Sequence, residues 1–228
     1  MRICVCLLWT ILLLGATGCI EIIDDLSMNA DGSGTFRYTV NLSSSKVKVN
    51  SYLSIDSLDG KKVPEKADII VRIDGIIEEL RKQEGITEVT FDGNYTDYLF
   101  KLKVDFETVE DLQVAVKNVI KAEYNANKIE ELNHNWLSYK GGALVRSVPK
   151  MTIYKVSELS SNDIDLLKNG NYLSITRFTS EIRECSNEVA SISKNKQAVM
   201  LKSDPYSLIR ESSLLDITIE LADTSDTN

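Results

Sequence analysis

Apolar and polar positions alternate in two different periods along this chain. From Ile20 to Leu42 the period is two: Ile20, Ile22, Leu26 and Met28 fall on one side, and Phe36, Tyr38, Val40 and Leu42 return on the same side. Thr35, Arg37, Thr39 and Asn41 take the other face, and Asp31-Gly32-Ser33-Gly34 supplies the turn. This pattern predicts a hairpin with one buried and one wet face, with Asp24 interrupting the apolar row. Residues 43–66 are polar and aperiodic, and Gly60-Lys61-Lys62-Val63-Pro64 breaks the chain. From Ala67 to about Lys82 the period becomes helical, through Ile69, Ile70, Ile73, Ile76, Ile77 and Leu80, and Gly85 follows as a stop.

The same order then recurs. Val89 and Phe91 precede an Asp92-Gly93-Asn94 turn, after which Tyr98, Phe100, Leu102, Val104 and Phe106 alternate with Lys101, Lys103 and Asp105. Thr108 and Asp111 cap a helix whose Leu112, Ala115, Val116, Val119 and Ile120 form one stripe. Two strand-turn-strand-helix units predict an α+β fold, with a four-stranded antiparallel sheet covered by helices on one face, because neither unit buries its apolar side alone.

Beyond this α+β region (residues 19–125) the pattern weakens. Residues 126–149 form a connecting segment, part of an Asn-rich stretch with His134, Trp136, Tyr139 and Gly141-Gly142 that reads as a connection or flap. A β-rich region follows (150–222), with strands expected at 150–157, 172–178, 188–193, 197–202 and 214–221 and a short helix near 161–168. Residues 223–228 are a polar tail.

The first eighteen residues stand apart. Met1 and Arg2 precede an apolar run from Ile3 to Leu14, closed by Gly15, Ala16, Thr17 and Gly18 before Cys19. That order is a secretory signal peptide, and its core is shorter than the roughly 20 apolar residues a bilayer-spanning helix needs. Ala16-Thr17-Gly18-Cys19 resembles the lipobox of bacterial lipoproteins, although Ala16 stands where that family usually has Leu. The resemblance implies that Cys19 becomes the lipid-modified first residue, carrying palmitate-like acyl chains that anchor the protein to a membrane. A plain cut after Gly18, leaving Cys19 unmodified, is the alternative.

Tyr172-Leu-Ser-Ile-Thr-Arg-Phe178 and the stretch from Ser186 to Leu221 resemble the C-terminal half of uncharacterised lipoproteins of Bacteroidota. Those chains also begin at a modified cysteine and run through an acidic strand into an Asp/Gly/Ser turn. The resemblance implies a place in the cell envelope and brings no activity; Ile20 rather than an aspartate after Cys19 favours the outer membrane or cell surface over the inner membrane by the enterobacterial sorting rule, which need not hold in other phyla.

Charge and cysteine content narrow the function classes. The chain has a net charge of −8, and loss of Arg2 with the leader takes it to −9, which argues against nucleic acid as a partner. Cys4 and Cys6 lie in the leader, so with Cys19 acylated only Cys185 remains, which excludes an internal disulfide and multi-cysteine zinc sites. His134 is the single histidine and has no partner at diagnostic spacing, and the Glu184 next to Cys185 opposes the activating effect of Arg183. Acidic pairs such as Glu78-Glu79 and Glu130-Glu131 have neither the spacing of a calcium loop nor that of glycosidase carboxylates.

The expectation is therefore a non-enzymatic, membrane-anchored envelope module, without cofactor or metal, that interacts with a protein, glycan or lipid partner. Trp136 and Tyr139 are its candidate ligand-binding residues. The alternatives are an envelope hydrolase using His134 and a carrier of lipid or another apolar ligand. The carrier requires an apolar cavity of at least about 300 Å³ between sheet and helices.

Overall fold

The computed structural model describes residues 20–58, 60–124, 130–150 and 159–222. The expected leader, Cys19, nearly all of the strand at 150–157, and the polar tail lie outside the described residues. No helix among those described is long and apolar enough to cross a membrane.

The first hairpin forms as its alternation dictates. Strand β1 (Glu21–Met28) pairs antiparallel with β2 (Gly34–Asn41), Leu26 opposite Phe36 and Asp24 opposite Tyr38. The polar stretch after it folds into helix α1 (Lys46–Leu53) and a small hairpin of β3 (Ser57–Leu58) and β4 (Lys61–Lys62). Helix α2 (Lys66–Arg81) buries Ile77 and Leu80. The second unit comprises β5 (Ile86–Asn94), β6 (Leu99–Phe106) and helix α3 (Val109–Tyr124). Its N-terminus is closed as expected: the Thr108 hydroxyl accepts from the Asp111 backbone N–H at 3.1 Å and donates to the Asp111 carboxylate at 2.6 Å.

The segment expected as a flap contains instead a hairpin, β7 (Leu137–Lys140) and β8 (Ala143–Arg146). Gly141 and Gly142 both adopt positive φ, 60° and 74°, which a two-residue hairpin turn with mirror-image geometry requires and side chains resist. Strands this short carry too few alternations to be seen in sequence. Further on come α4 (Ser161–Lys168), β9 (Asn171–Phe178), β10 (Ile182–Cys185), β11 (Ser191–Ile192), β12 (Ala198–Ser203), α5 (Pro205–Arg210) and β13 (Ile217–Leu221). The strand expected at 188–193 shrinks to β11. The unexpected α5 starts where Asp204 accepts from the Ser207 N–H at 2.8 Å, just before Pro205.

The fold is α+β and largely antiparallel, and its main sheet is wider than the four strands expected. Its order is β11-β12-β9-β1-β2-β6-β5, because β9 docks parallel to β1 and puts β1 at the centre. A second sheet, β10-β13-β8-β7, buries Leu144, Ile217, Ile219 and Leu221. One contiguous core joins the apolar faces of both sheets to α2 and α3. The opposite face of the main sheet is polar and cross-linked: Lys103 meets Glu88 at 2.8 Å and Asp105 at 2.7 Å, and Arg177 meets Asp25 at 3.1 Å.

Candidate functional site

Strand register sorts the covered face of the main sheet into rows. One row runs Val199, Thr176, Leu26, Phe36, Val104, Val89, and is closed over except at the half-buried Phe36: Leu26 is 0 % exposed and Val104 1 %. The next row runs Leu201, Ser174, Asp24, Tyr38, Leu102, Phe91. Above its middle lies a cavity of about 550 Å³. The sheet contributes Phe36, Tyr38 and Leu102 to its wall, α2 contributes Ile76 and Leu80, and α3 contributes Leu112, Val116, Val119 and Ile120. Trp136 and Leu137 close the side toward the small sheet.

A charged cluster is set into the same wall. Asp24, on β1, is 5 % exposed, and Arg146, reaching over from β8, is 7 % exposed. The Asp24 carboxylate accepts from the Tyr172 hydroxyl at 2.5 Å, from the Ser174 hydroxyl at 2.8 Å, and from both terminal nitrogens of Arg146 at 3.4 Å. Arg146 also donates to Ser174. Burial first, and then the neighbouring Asp24 charge, push the Tyr172 phenol far above its ordinary range, so it remains a donor. The polar residue that interrupts the first apolar row is thus matched by donors from two other strands.

A second cavity, about 390 Å³, continues beyond this cluster under α5. It shares Tyr38, Val148, Tyr172 and Leu215 with the first, so the two chambers meet at the same side chains.

Polar groups also line the seam between α3 and β7. The buried Gln113 amide accepts from the Leu137 N–H at 3.0 Å and donates to the Asn135 side-chain oxygen at 3.2 Å. One helical turn on, Lys117 donates to the same oxygen at 2.8 Å, its ammonium 5.3 Å from the centre of the Trp136 ring.

The candidates named from sequence are dispersed. Trp136 stands in the cavity wall, half-buried. Tyr139 does not line the cavity; half-buried against the core, it packs on Gly32 while its backbone N–H donates to Glu110 at 3.3 Å. His134 is exposed, and its Nε2 lies 2.9 Å from the Ser147 carbonyl, a geometry in which the ring nitrogen donates. Cys185 is half-buried on β10, its sulfur 3.9 Å from the Asn187 carbonyl. Among the described residues no group of three His, Cys, Asp or Glu side chains is placed to hold a metal ion. Sequence reading passed over Arg146, Tyr172 and Lys117. Arg146 carries a signal only once β8 is known, because it then shares the face of the buried Leu144.

No family model and no curated sequence matches this chain. Among solved structures it is similar to the folded domain of LppM from Mycobacterium tuberculosis, determined by NMR, at 10 % identity, with a TM-score of 0.42. That match covers 91 % of this chain and 93 % of the other.

Proposed function

We propose that this protein is a membrane-tethered, non-enzymatic binding module that holds an apolar ligand between its main sheet and the helices α2 and α3. The observation that carries this reading is the 550 Å³ cavity, which exceeds the roughly 300 Å³ lower limit of small-molecule sites and has walls dominated by Leu, Ile, Val and aromatic side chains. An apolar molecule bound there gains hydrophobic burial and dispersion contacts against these side chains. The Asp24-Arg146 cluster gives this greasy site one polar point of reference. Tethering rests on the signal-like leader and on Cys19 next to it.

Two experiments test the two halves of the proposal. The full chain, kept in a non-ionic amphipathic polymer, is titrated with the neutral fluorophore N-phenylnaphthylamine. Enhanced emission is expected from the wild type, and its loss from Val116→Trp, whose indole fills the cavity while circular dichroism stays that of the wild type. A wild type that leaves the fluorophore dark removes the binding reading. For the anchor, metabolic labelling with a radioactive fatty acid should mark the wild type and miss Cys19→Ser, because thioether acylation needs the thiol. Label retained by the serine variant removes the lipoprotein reading and leaves the cavity untouched.

The position of His134 favours binding over hydrolysis. Its ring faces a backbone carbonyl, whereas general acid-base catalysis requires it within hydrogen-bond reach of a reacting group or nucleophile.

A further inference from the structure

From Lys117, which does not itself line the cavity but holds its ammonium over the ring of the cavity-lining Trp136, we infer that the ligand is an anionic single-chain amphiphile, its chain in the 550 Å³ cavity and its oxyanion head on the Lys117 ammonium. This inference rests on the binding reading above and deepens it.

Lys117 is 9 % exposed, an unusual depth for a lysine. Among the described residues no carboxylate lies within ion-pair distance of it; its ammonium has only the Asn135 side-chain oxygen and the Trp136 ring. A buried charge without a counter-charge is costly, and a neutral amide oxygen and a ring face meet only part of that cost. Burial, with the positive Lys121 one turn further along α3, pulls the Lys117 pKa below its ordinary value. Both effects act in the direction that an arriving anion reverses.

Position ties this cation to the cavity. Gln113, Val116 and Ile120 on the same helix line the cavity, as does Trp136, over whose ring the ammonium sits. Among the described residues the only acidic one in the cavity wall is Asp24, on the sheet, and its charge is met there by Arg146, Tyr172 and Ser174. An anionic head therefore finds attraction at the α3 seam and a neutralised cluster at the floor. Carboxylate and phosphate monoester heads share the chemistry that this site recognises, and the experiment separates them.

Dodecanoate, dodecyl phosphate and dodecanol, which share one chain, compete with N-phenylnaphthylamine for the full chain in the same polymer. For the wild type, at least one anion is expected to displace the fluorophore at roughly tenfold lower concentration than the alcohol, about the factor of one charge-assisted hydrogen bond. Whichever anion displaces at the lower concentration identifies the head. Lys117→Met should keep fluorophore binding and lose the anion advantage, and Lys117→Arg should retain it. Equal displacement by all three in the wild type overturns the inference, a comparison that needs no variant to fold. An anion advantage that survives Lys117→Met also overturns it. In both cases fluorophore binding leaves the cavity reading standing, whereas a wild type that never binds the fluorophore removes the cavity reading itself.

Discussion

Two neighbouring rows of one sheet face have been put to opposite uses. In the row through Leu26, Phe36 and Val104 every inward position is apolar or a small threonine, and the layers above close on Leu26 and Val104, leaving only Phe36 to reach the cavity wall. One step along the same strands, the row through Ser174, Asp24, Tyr38 and Leu102 pairs a buried carboxylate with an arginine from another sheet and lies under a cavity. Strand geometry is the same in both rows, so the difference lies in side chains and in what covers them. The first row supplies cohesion. The second keeps volume open, and it does so with rigid parts: an ion pair, a phenol and a helix pinned to β7 through Gln113.

The largest expected effect breaks the second row. Arg146→Met leaves Asp24 buried without its cation, and losing one partner of a buried pair costs about 3 to 5 kcal/mol. That is a large part of the roughly 5 to 15 kcal/mol available to a domain. The denaturant midpoint should fall steeply, and the double variant Asp24→Leu with Arg146→Met should recover most of the loss, since neither charge is then stranded. A single variant indistinguishable from wild type would mean that this row is wet in solution.

A smaller effect sharpens the comparison by using one residue type in both rows. Leu26→Ala should cost about 3 to 5 kcal/mol, from lost transfer energy and the void left in a closed layer. Leu102→Ala, on a half-buried leucine that already borders open volume, should cost roughly 1 to 2 kcal/mol by urea unfolding, because fewer contacts are lost. Equal costs at the two sites would show that the cavity is closed in solution.

The smallest effect checks the faces themselves. Lys101 is exposed on the polar side of β6, between Phe100 and Leu102, which point the other way. Lys101→Ala should shift stability by under about 0.5 kcal/mol, and thermal unfolding is enough to detect more. A shift as large as that of Leu102→Ala would mean that the sheet is covered on both faces.

Much of the frame was legible beforehand. The two hairpins of the N-terminal half, the helix through Ile69 to Leu80 and the Thr108 cap follow from period, turn chemistry and capping, all of which act within about ten residues. The β7-β8 hairpin was missed because its strands have four residues each, and α5 because six residues give no helical period. Of the site, Trp136 was named for lying in the Asn-rich segment away from any core pattern, and Asp24 was visible as a break in an apolar row without a reason for the break.

The sequence by itself determined the alternation that assigns each side chain of β1, β2, β5 and β6 to a face, and the helices that cover one of those faces. Tertiary structure alone decided that β9 lies parallel to β1, which brings Ser174 and Tyr172 to Asp24 across some 150 residues, and that β8 carries Arg146 to the same carboxylate. It also decided that α3 meets β7 so as to bury Lys117 beside Trp136. The reason is physical: periodicity reports the environment of a residue relative to its own strand or helix, whereas a cavity and a buried ion pair depend on which distant elements meet, and that is set by the packing of the whole core.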